Sequence, residues 1–278
     1  MIEKREREDI LTDGSLLATV RARRPRVHHI TNYVTANDCA NATLAVGASP
    51  VMADALEEAA EVAASAAALV LNLGTLNPAR LRAMLAAGRA AQTLGVPLVL
   101  DPVGVGISSF RKLAAREILE RIGCSVIKGN RSEILELMDI RSFGGIDALS
   151  GDEETARAAE ETAVRAAAKY GCTIAMTGET DLVTDGTRRF RIFNGHPALA
   201  FVTGTGCMCG SLVAAVCGTG SRPLAAALCG VAAMGIAGEI AALRARTSGN
   251  GTMRTSLIDA LSTMTPESFA QRVRVESA

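Results

Sequence analysis

Four short apolar runs govern what this chain can fold into, because all of them end in the same way. ALVLNLGT (68–75) closes on Asn72, Gly74 and Thr75, and VPLVLDPVGVG (96–106) turns polar at Asp101. SVIKGNRSE (125–133) does so at Lys128 and Asn130, and TIAMTGETD (173–181) at Thr177 and Gly178. Between and beside them, stretches 79–94, 111–121 and 152–169 are rich in Ala, Leu, Glu and Arg at helical spacing. The alternation predicts an α/β fold with a mostly parallel central sheet and helices on both faces. In such sheets ligands bind beyond the carboxyl ends of the strands. The polar run-ends are therefore expected to share one crevice.

A chain of 278 residues can bury one large core. With no repeat or low-complexity linker to divide it, residues 1–278 are expected to form one domain. The N-terminal MIEKREREDILTDG is charged, and reads as a solvated helix over about 1–24 rather than a secretory signal. The apolar run Leu224–Gly238 is too short for a membrane span, rich in Ala and Gly, and closed by Glu239, so a buried helix is expected. Lys plus Arg and Asp plus Glu balance at 29 each. This leaves no electrostatic footprint for nucleic acid or an anionic membrane and points to a small-molecule partner. Seven cysteines, an odd number without dense regular spacing, fit thiols in a reducing, cytoplasmic setting.

Each polar run-end has a local role open to it as well as a functional one. Asp101 precedes Pro102 and could begin a turn. Glu133 lies three residues after Asn130, so it could complete a capping box or aim a carboxylate at a metal. Lys128 could be a solvated cation or a phosphate ligand, and Thr177 a strand-end hydroxyl. Their common position at strand ends favours a shared site. His28, His29 and His196 are expected to be structural, since no nucleophile elbow accompanies them.

The segment FVTGTGCMCGSLVAAVCG (201–218) supplies what those groups would surround. Gly204 and Gly206 allow close backbone approach, and the first turn of the following helix offers free N–H groups to an anion. The segment lacks the Gly-Lys-Ser/Thr of a P-loop and the G-x-G-x-x-G spacing of dinucleotide folds. Cys207 falls just inside the helix mouth, where a lowered pKa and a thiolate are expected. Cys209, about 200° further round the helix, should face the core. Cys39, Cys124, Cys172, Cys217 and Cys229 read as small buried hydrophobes.

HHITNYVTANDCANATLAVGASPVMA, LVLNLGTL, LVLDPVGVG, VIKGNRSEI, IAMTGETD and VTGTGC occur in an order and at a spacing that resemble the hydroxyethylthiazole kinase family of the ribokinase-like superfamily. The resemblance runs from about His29 into the final quarter of the chain. It implies an ATP- and Mg²⁺-dependent phosphorylation of 4-methyl-5-(2-hydroxyethyl)thiazole in thiamine salvage. It also implies that Asn32 and Met52 line the thiazole pocket, with Gly204 against the substrate. Lys128 and Thr177 fall on ATP-contacting positions, Asp101 and Glu133 on carboxylates associated with metal and phosphate, and Cys207 where most ribokinase-like kinases have an aspartate base. Lys128 stands where the family usually has arginine, which replaces a planar bidentate donor by a point charge. A homotrimer with sites between subunits is implied by resemblance alone. Two other readings are another small-alcohol kinase of the superfamily, such as one acting on hydroxymethylpyrimidine, and a catalytically silent sensor of nucleotide or thiazole.

Overall fold

The computed structural model describes residues 14–140 and 153–278. Its strands are β1 (Arg26–Ile30), β2 (Ser49–Met52), β3 (Ala68–Asn72), β4 (Leu98–Asp101), β5 (Val126–Asn130), β6 (Thr173–Thr177), β7 (Asp181–Thr184), β8 (Arg189–Ile192) and β9 (Val275–Ser277). They form one sheet in the order β2-β1-β3-β4-β5-β6-β7-β8-β9. β1 to β6 pair in parallel, and β7 to β9 extend the sheet antiparallel at one edge.

The helices are α1 (Ser15–Arg23), α2 (Ala36–Ala45), α3 (Leu56–Ala64), α4 (Pro78–Leu94), α5 (Ser109–Arg121), α6 (Arg131–Leu137), α7 (Glu153–Tyr170), α8 (Thr205–Cys217), α9 (Pro223–Ala245), α10 (Asn250–Thr263) and α11 (Pro266–Arg272). Of the helix expected over about 1–24, Ser15–Arg23 is present, and residues 1–13 lie outside those described. Local chemistry sets several boundaries. Asn77 caps α4 by accepting the Arg80 N–H, Pro78 supplies its first residue, and Gly95 ends it in the left-handed region. Ser108 caps α5 in the same way.

The strands alternate in side-chain size as well as in direction. Val27, Ala68, Val70, Val99, Val126 and Ala175 present a small-residue face to α8, α9 and α10. Ile30, Leu69, Leu71, Leu100, Ile127 and Ile174 present a bulkier face to α4, α5 and α7. Ala- and Gly-rich α8 and α9 can therefore lie close against the sheet. α9 is long and apolar enough to cross a membrane, yet its most apolar window is 83% buried within the molecule, as a core helix would be. All seven cysteines are free thiols; Cys39, Cys172, Cys217 and Cys229 are buried, whereas Cys124 is half-exposed.

His28 and His29 are both buried in β1. His29 is buried on β1, with Nδ1 3.1 Å from the Val27 carbonyl and Nε2 3.1 Å from the Ser211 hydroxyl. Burial lowers its pKa from 6.5 to about 4. The folded protein thus binds this proton less readily than the unfolded chain, so stability falls as pH drops from about 6.5 to about 4. The full shift is worth about 3 kcal/mol at 1.36 kcal/mol per unit. Urea unfolding at pH 7 and pH 4.5 should show this loss, and His29→Gln should flatten the pH dependence. An unchanged slope in a folded His29→Gln protein would remove His29 as its source.

Candidate active site

β2 lies on one side of β1 and β3 on the other, so the strand order reverses between β1 and β3. Such a switch point opens a crevice at the carboxyl ends of the strands. Asn32 lies two residues beyond β1, and Asn72 ends β3 in register with Asp101 of β4. The N-terminus of α8 comes down on this point. Gly204 precedes α8 with φ +91°, and a Cβ there would stand 2.6 Å from Thr35 Cγ2. Only glycine meets both the left-handed backbone and the close contact. The first intrahelical bond of α8 runs from Met208 N–H to Gly204 O at 2.8 Å. The N–H groups of Thr205, Gly206 and Cys207 precede it and face the mouth.

Beneath the first turns of α8 lie Asp101 and Lys128, which the pleat of β4 and β5 places on the small-residue face. They are 1% and 3% exposed, so Lys128 is not a solvated cation. Lys128 Nζ stands 3.8 Å from Asp101 Oδ2, and neither carboxylate oxygen has a hydrogen-bond partner. Glycines in α8 make the room: a Cβ on Gly206 would approach Lys128 Nζ to 3.0 Å, and one on Gly210 would approach Asp101 Oδ2 to 3.6 Å. Burial pushes the Asp101 pKa up to about 7 against the attraction of Lys128. Burial pulls the Lys128 pKa down, but the charges of Asp101, Cys209, Glu133 and Cys207 together outweigh it and hold the ammonium above the ordinary lysine value.

Cys207 sits at the centre of an amide network. Its Sγ accepts from Asn72 Nδ2 at 3.2 Å and from Asn32 Nδ2 at 3.4 Å. Asn32 Nδ2 also donates to Asn72 Oδ1 at 3.0 Å, which in turn accepts the Gly74 N–H at 2.9 Å. Asn32 Oδ1 accepts from the Thr35 N–H and hydroxyl. The amide orientations are thereby fixed, each oxygen held by donors and each NH₂ turned to sulfur. Contrary to the lowered pKa expected of Cys207, burial and the Asp101 charge raise it, despite Thr35, Lys128 and Asn72. A helix mouth that is itself buried does not by itself make a thiolate. Cys209 is buried in the core as expected, and burial pushes its thiol up to about 12.

Glu133 takes the capping role open to it and keeps a second tie to the loop after β4. Its Oε2 accepts the Asn130 N–H at 2.8 Å while Asn130 Oδ1 accepts the Glu133 N–H, which closes a capping box. Its Oε1 accepts the Gly104 N–H at 3.0 Å, tying the loop after β4 to α6. A carboxylate has about four acceptor positions, so two remain. Thr177 ends β6 opposite Asn130, and its hydroxyl donates to the Gly129 carbonyl at 3.3 Å. Met52 is not brought into this cluster. It ends the edge strand β2 opposite His29 and is 41% exposed.

No group of three or more His, Cys, Asp or Glu side chains among the described residues could hold a metal by itself. Asp101 nevertheless fits one, because its two buried oxygens have no hydrogen-bond partner and Lys128, 3.8 Å away, leaves them free to take a further cation. Mg²⁺ typically takes one or two carboxylates and completes its shell with water and phosphate oxygens. Asn72, read from the sequence as a polar run-end without a role of its own, belongs to the cluster, and so does Thr35, which the sequence reading omits. An amide closing the apolar run LVLN is a poor strand residue, and that is the signal at Asn72. Thr35 carries a weaker signal: it lies three residues after Asn32, within reach of a local side-chain turn, whereas its approach to Gly204 arises only in three dimensions.

Comparison with known proteins gives a consistent picture. Residues 17–267 match the profile of the hydroxyethylthiazole kinase family. The hydroxyethylthiazole kinase of Clostridium beijerinckii is 46% identical over 254 residues, covering 91% of this chain and 92% of that protein. The structure of a hydroxyethylthiazole kinase from Pyrococcus horikoshii OT3 superposes with a TM-score of 0.86 at 39% identity, covering 96% of this chain and 98% of that one. A ribokinase-like superfamily protein from Enterococcus faecalis V583 shares the fold, with a TM-score of 0.60 at 14% identity and coverage of 87% and 88%.

Proposed function

The chain belongs to the hydroxyethylthiazole kinase family, and from that premise we propose that it transfers the γ-phosphoryl group of ATP to the hydroxyl of 4-methyl-5-(2-hydroxyethyl)thiazole, giving the thiazole phosphate used in thiamine assembly. One observation carries the assignment of roles: the buried cluster in which Asp101, Lys128 and Cys207 meet the free N–H groups of α8. That mouth receives the transferred phosphoryl group, with Gly204 letting the thiazole alcohol approach the backbone.

Phosphoryl transfer relies on positioning and charge stabilisation more than on a strong base. Cys207 suits the first of these. A thiol sulfur that accepts two amide N–H groups has only its proton left to offer, so the resting thiol donates to the alcohol oxygen and fixes its direction. Asn32 and Asn72 set that direction. Lys128 and Thr177 hold the nucleotide phosphates, Lys128 as a buried point charge. Asp101 and Glu133 would hold Mg²⁺, which when bound neutralises charge on the phosphate oxygens. The seven free thiols suit a cytoplasmic setting.

Met52 lies outside the cluster, and a second subunit supplies a reason for its exposure. Tyr33, Val34 and Leu56, at 75%, 56% and 44% exposed, flank the same corner of the sheet. A homotrimer would cover this corner and bring Met52 of one subunit to the Cys207 site of another. Sedimentation should give three chains per particle, and mixing Met52 and Cys207 variants should restore activity. An active monomer at micromolar concentration would refute the shared site.

The activity itself is tested by substrate-dependent ADP release with a panel of alcohols under Mg²⁺. The thiazole alcohol should be preferred. A pyrimidine or sugar alcohol phosphorylated far more efficiently would move the substrate elsewhere in the superfamily, and tight ligand binding without ADP release would make the protein a sensor.

A further inference from the structure

At the other end of the sheet, where β1, β2 and β3 begin, the exposed Arg23, Arg24 and Arg26, with Ser49 and Ser65, line a cavity of about 480 Å³ that is broadly open to solvent. Every ion pair among the described residues uses other cations, so these three guanidinium groups have no carboxylate partner there. Arg23 Nη1 donates to the Thr219 carbonyl and Arg26 Nη1 to the Ser65 hydroxyl at 3.4 Å. Arg24 is exposed and has no side-chain hydrogen bond among the described residues. Most of the five donors on each guanidinium therefore remain open.

A purely structural account covers part of this charge. α1, α3 and α8 all end at the cavity, at Arg23, Ala64 and Cys217. Each helix C-terminus carries about −0.5 of a charge, together about half of what three guanidinium groups supply. A positive surplus remains. Arg24 adds an independent point, since it closes α1 at φ 49°, ψ 52° in the left-handed region. Glycine is the usual residue at such a position, and a larger one costs about 1 kcal/mol or more. The chain accepts strain to set a guanidinium there.

We propose that this cavity is a second anion site, taking the diphosphate group of a small phosphorylated molecule. Guanidinium forks match phosphate oxygens in pairs, and the two serines add hydroxyl donors. The site is separate from the phosphoryl-transfer mouth: the 13 residues of α8 span about 20 Å between Thr205 and Cys217. The helix end rests on the cavity wall, where a Cβ at Gly218 would come 2.9 Å from Pro25 Cβ.

Calorimetric titration of the intact protein with inorganic pyrophosphate tests the site, at about 0.15 M salt to suppress diffuse attraction. One arm saturates the kinase site beforehand with Mg²⁺ and a non-hydrolysable ATP analogue; the other leaves the analogue out. The probe variant is Arg24→Gly, which removes one fork and relieves the backbone, so the protein should melt no lower than the parent. One equivalent of pyrophosphate should still bind beside the analogue with Kd below about 1 mM, and Arg24→Gly should weaken it about tenfold, or about 1.4 kcal/mol. No residual binding, or equal affinity in folded Arg24→Gly, overturns the site. If the analogue itself does not bind, the kinase reading is at fault, while the Arg24→Gly comparison without it still decides the arginine cavity.

Discussion

Asp101→Asn is expected to lower turnover by ~10²-fold or more while leaving thiazole binding nearly unchanged. The substitution keeps shape and burial but removes the one buried carboxylate among the described residues whose two oxygens have no hydrogen-bond partner. Evolution of the fold alone would not favour such a group, because burial pushes its pKa up to about 7 and the Lys128 ammonium stays 3.8 Å away. Its use is therefore expected to arise when phosphate and cation arrive. Circular dichroism and thermal melting would show that the variant folds with Lys128 left beside an amide. A folded Asp101→Asn protein with near-parental turnover would take Asp101 out of the catalytic site.

Cys207→Ala should lower the maximal rate by ~10²-fold with ATP still bound, whereas Cys209→Ala should chiefly cost stability, about 1–2 kcal/mol for a small buried side chain. The two thiols differ in what surrounds them. Cys207 Sγ faces Asn32 and Asn72 at the switch point, and Cys209 packs into the core beneath α8. Cys207→Asp should keep more activity than Cys207→Ala, because a carboxylate can take both amide N–H bonds and also accept the alcohol proton. Its charge beside Asp101 should weaken nucleotide binding. Turnover and nucleotide affinity measured for all three variants separate these effects. Parental turnover in Cys207→Ala, or loss of chemistry in folded Cys209→Ala, would assign the wrong thiol.

The parts of the fold that were legible in the sequence are those with a local cause. β3 to β6 announced themselves as apolar runs with polar ends, and α4, α5 and α7 lie within two residues of the stretches 79–94, 111–121 and 152–169. The antiparallel edge was not legible. β9 is three residues long and pairs with β8 more than eighty residues earlier, so no local pattern marks it. At the site, position at strand ends sufficed to set Asp101 beside Lys128, with Glu133 in the helix turn after β5 and Thr177 at the end of β6. The same reasoning failed for the acidity of Cys207, since depth of burial and the nearness of Asp101 are properties of the packed molecule. It also missed Asn72 as a partner of Cys207 and Asn32, because residues 32, 72 and 207 meet only once α8 lies over the switch point.

The most direct measurement is a crystal structure of the protein with Mg²⁺, a non-hydrolysable ATP analogue and hydroxyethylthiazole. The terminal phosphate should lie against the Thr205, Gly206 and Cys207 N–H groups, with the cation toward Asp101, the other phosphates near Lys128 and Thr177, and the thiazole hydroxyl within hydrogen-bond reach of Cys207 Sγ. A nucleotide seated away from the N-terminus of α8, or a thiazole hydroxyl remote from Cys207, would contradict the account.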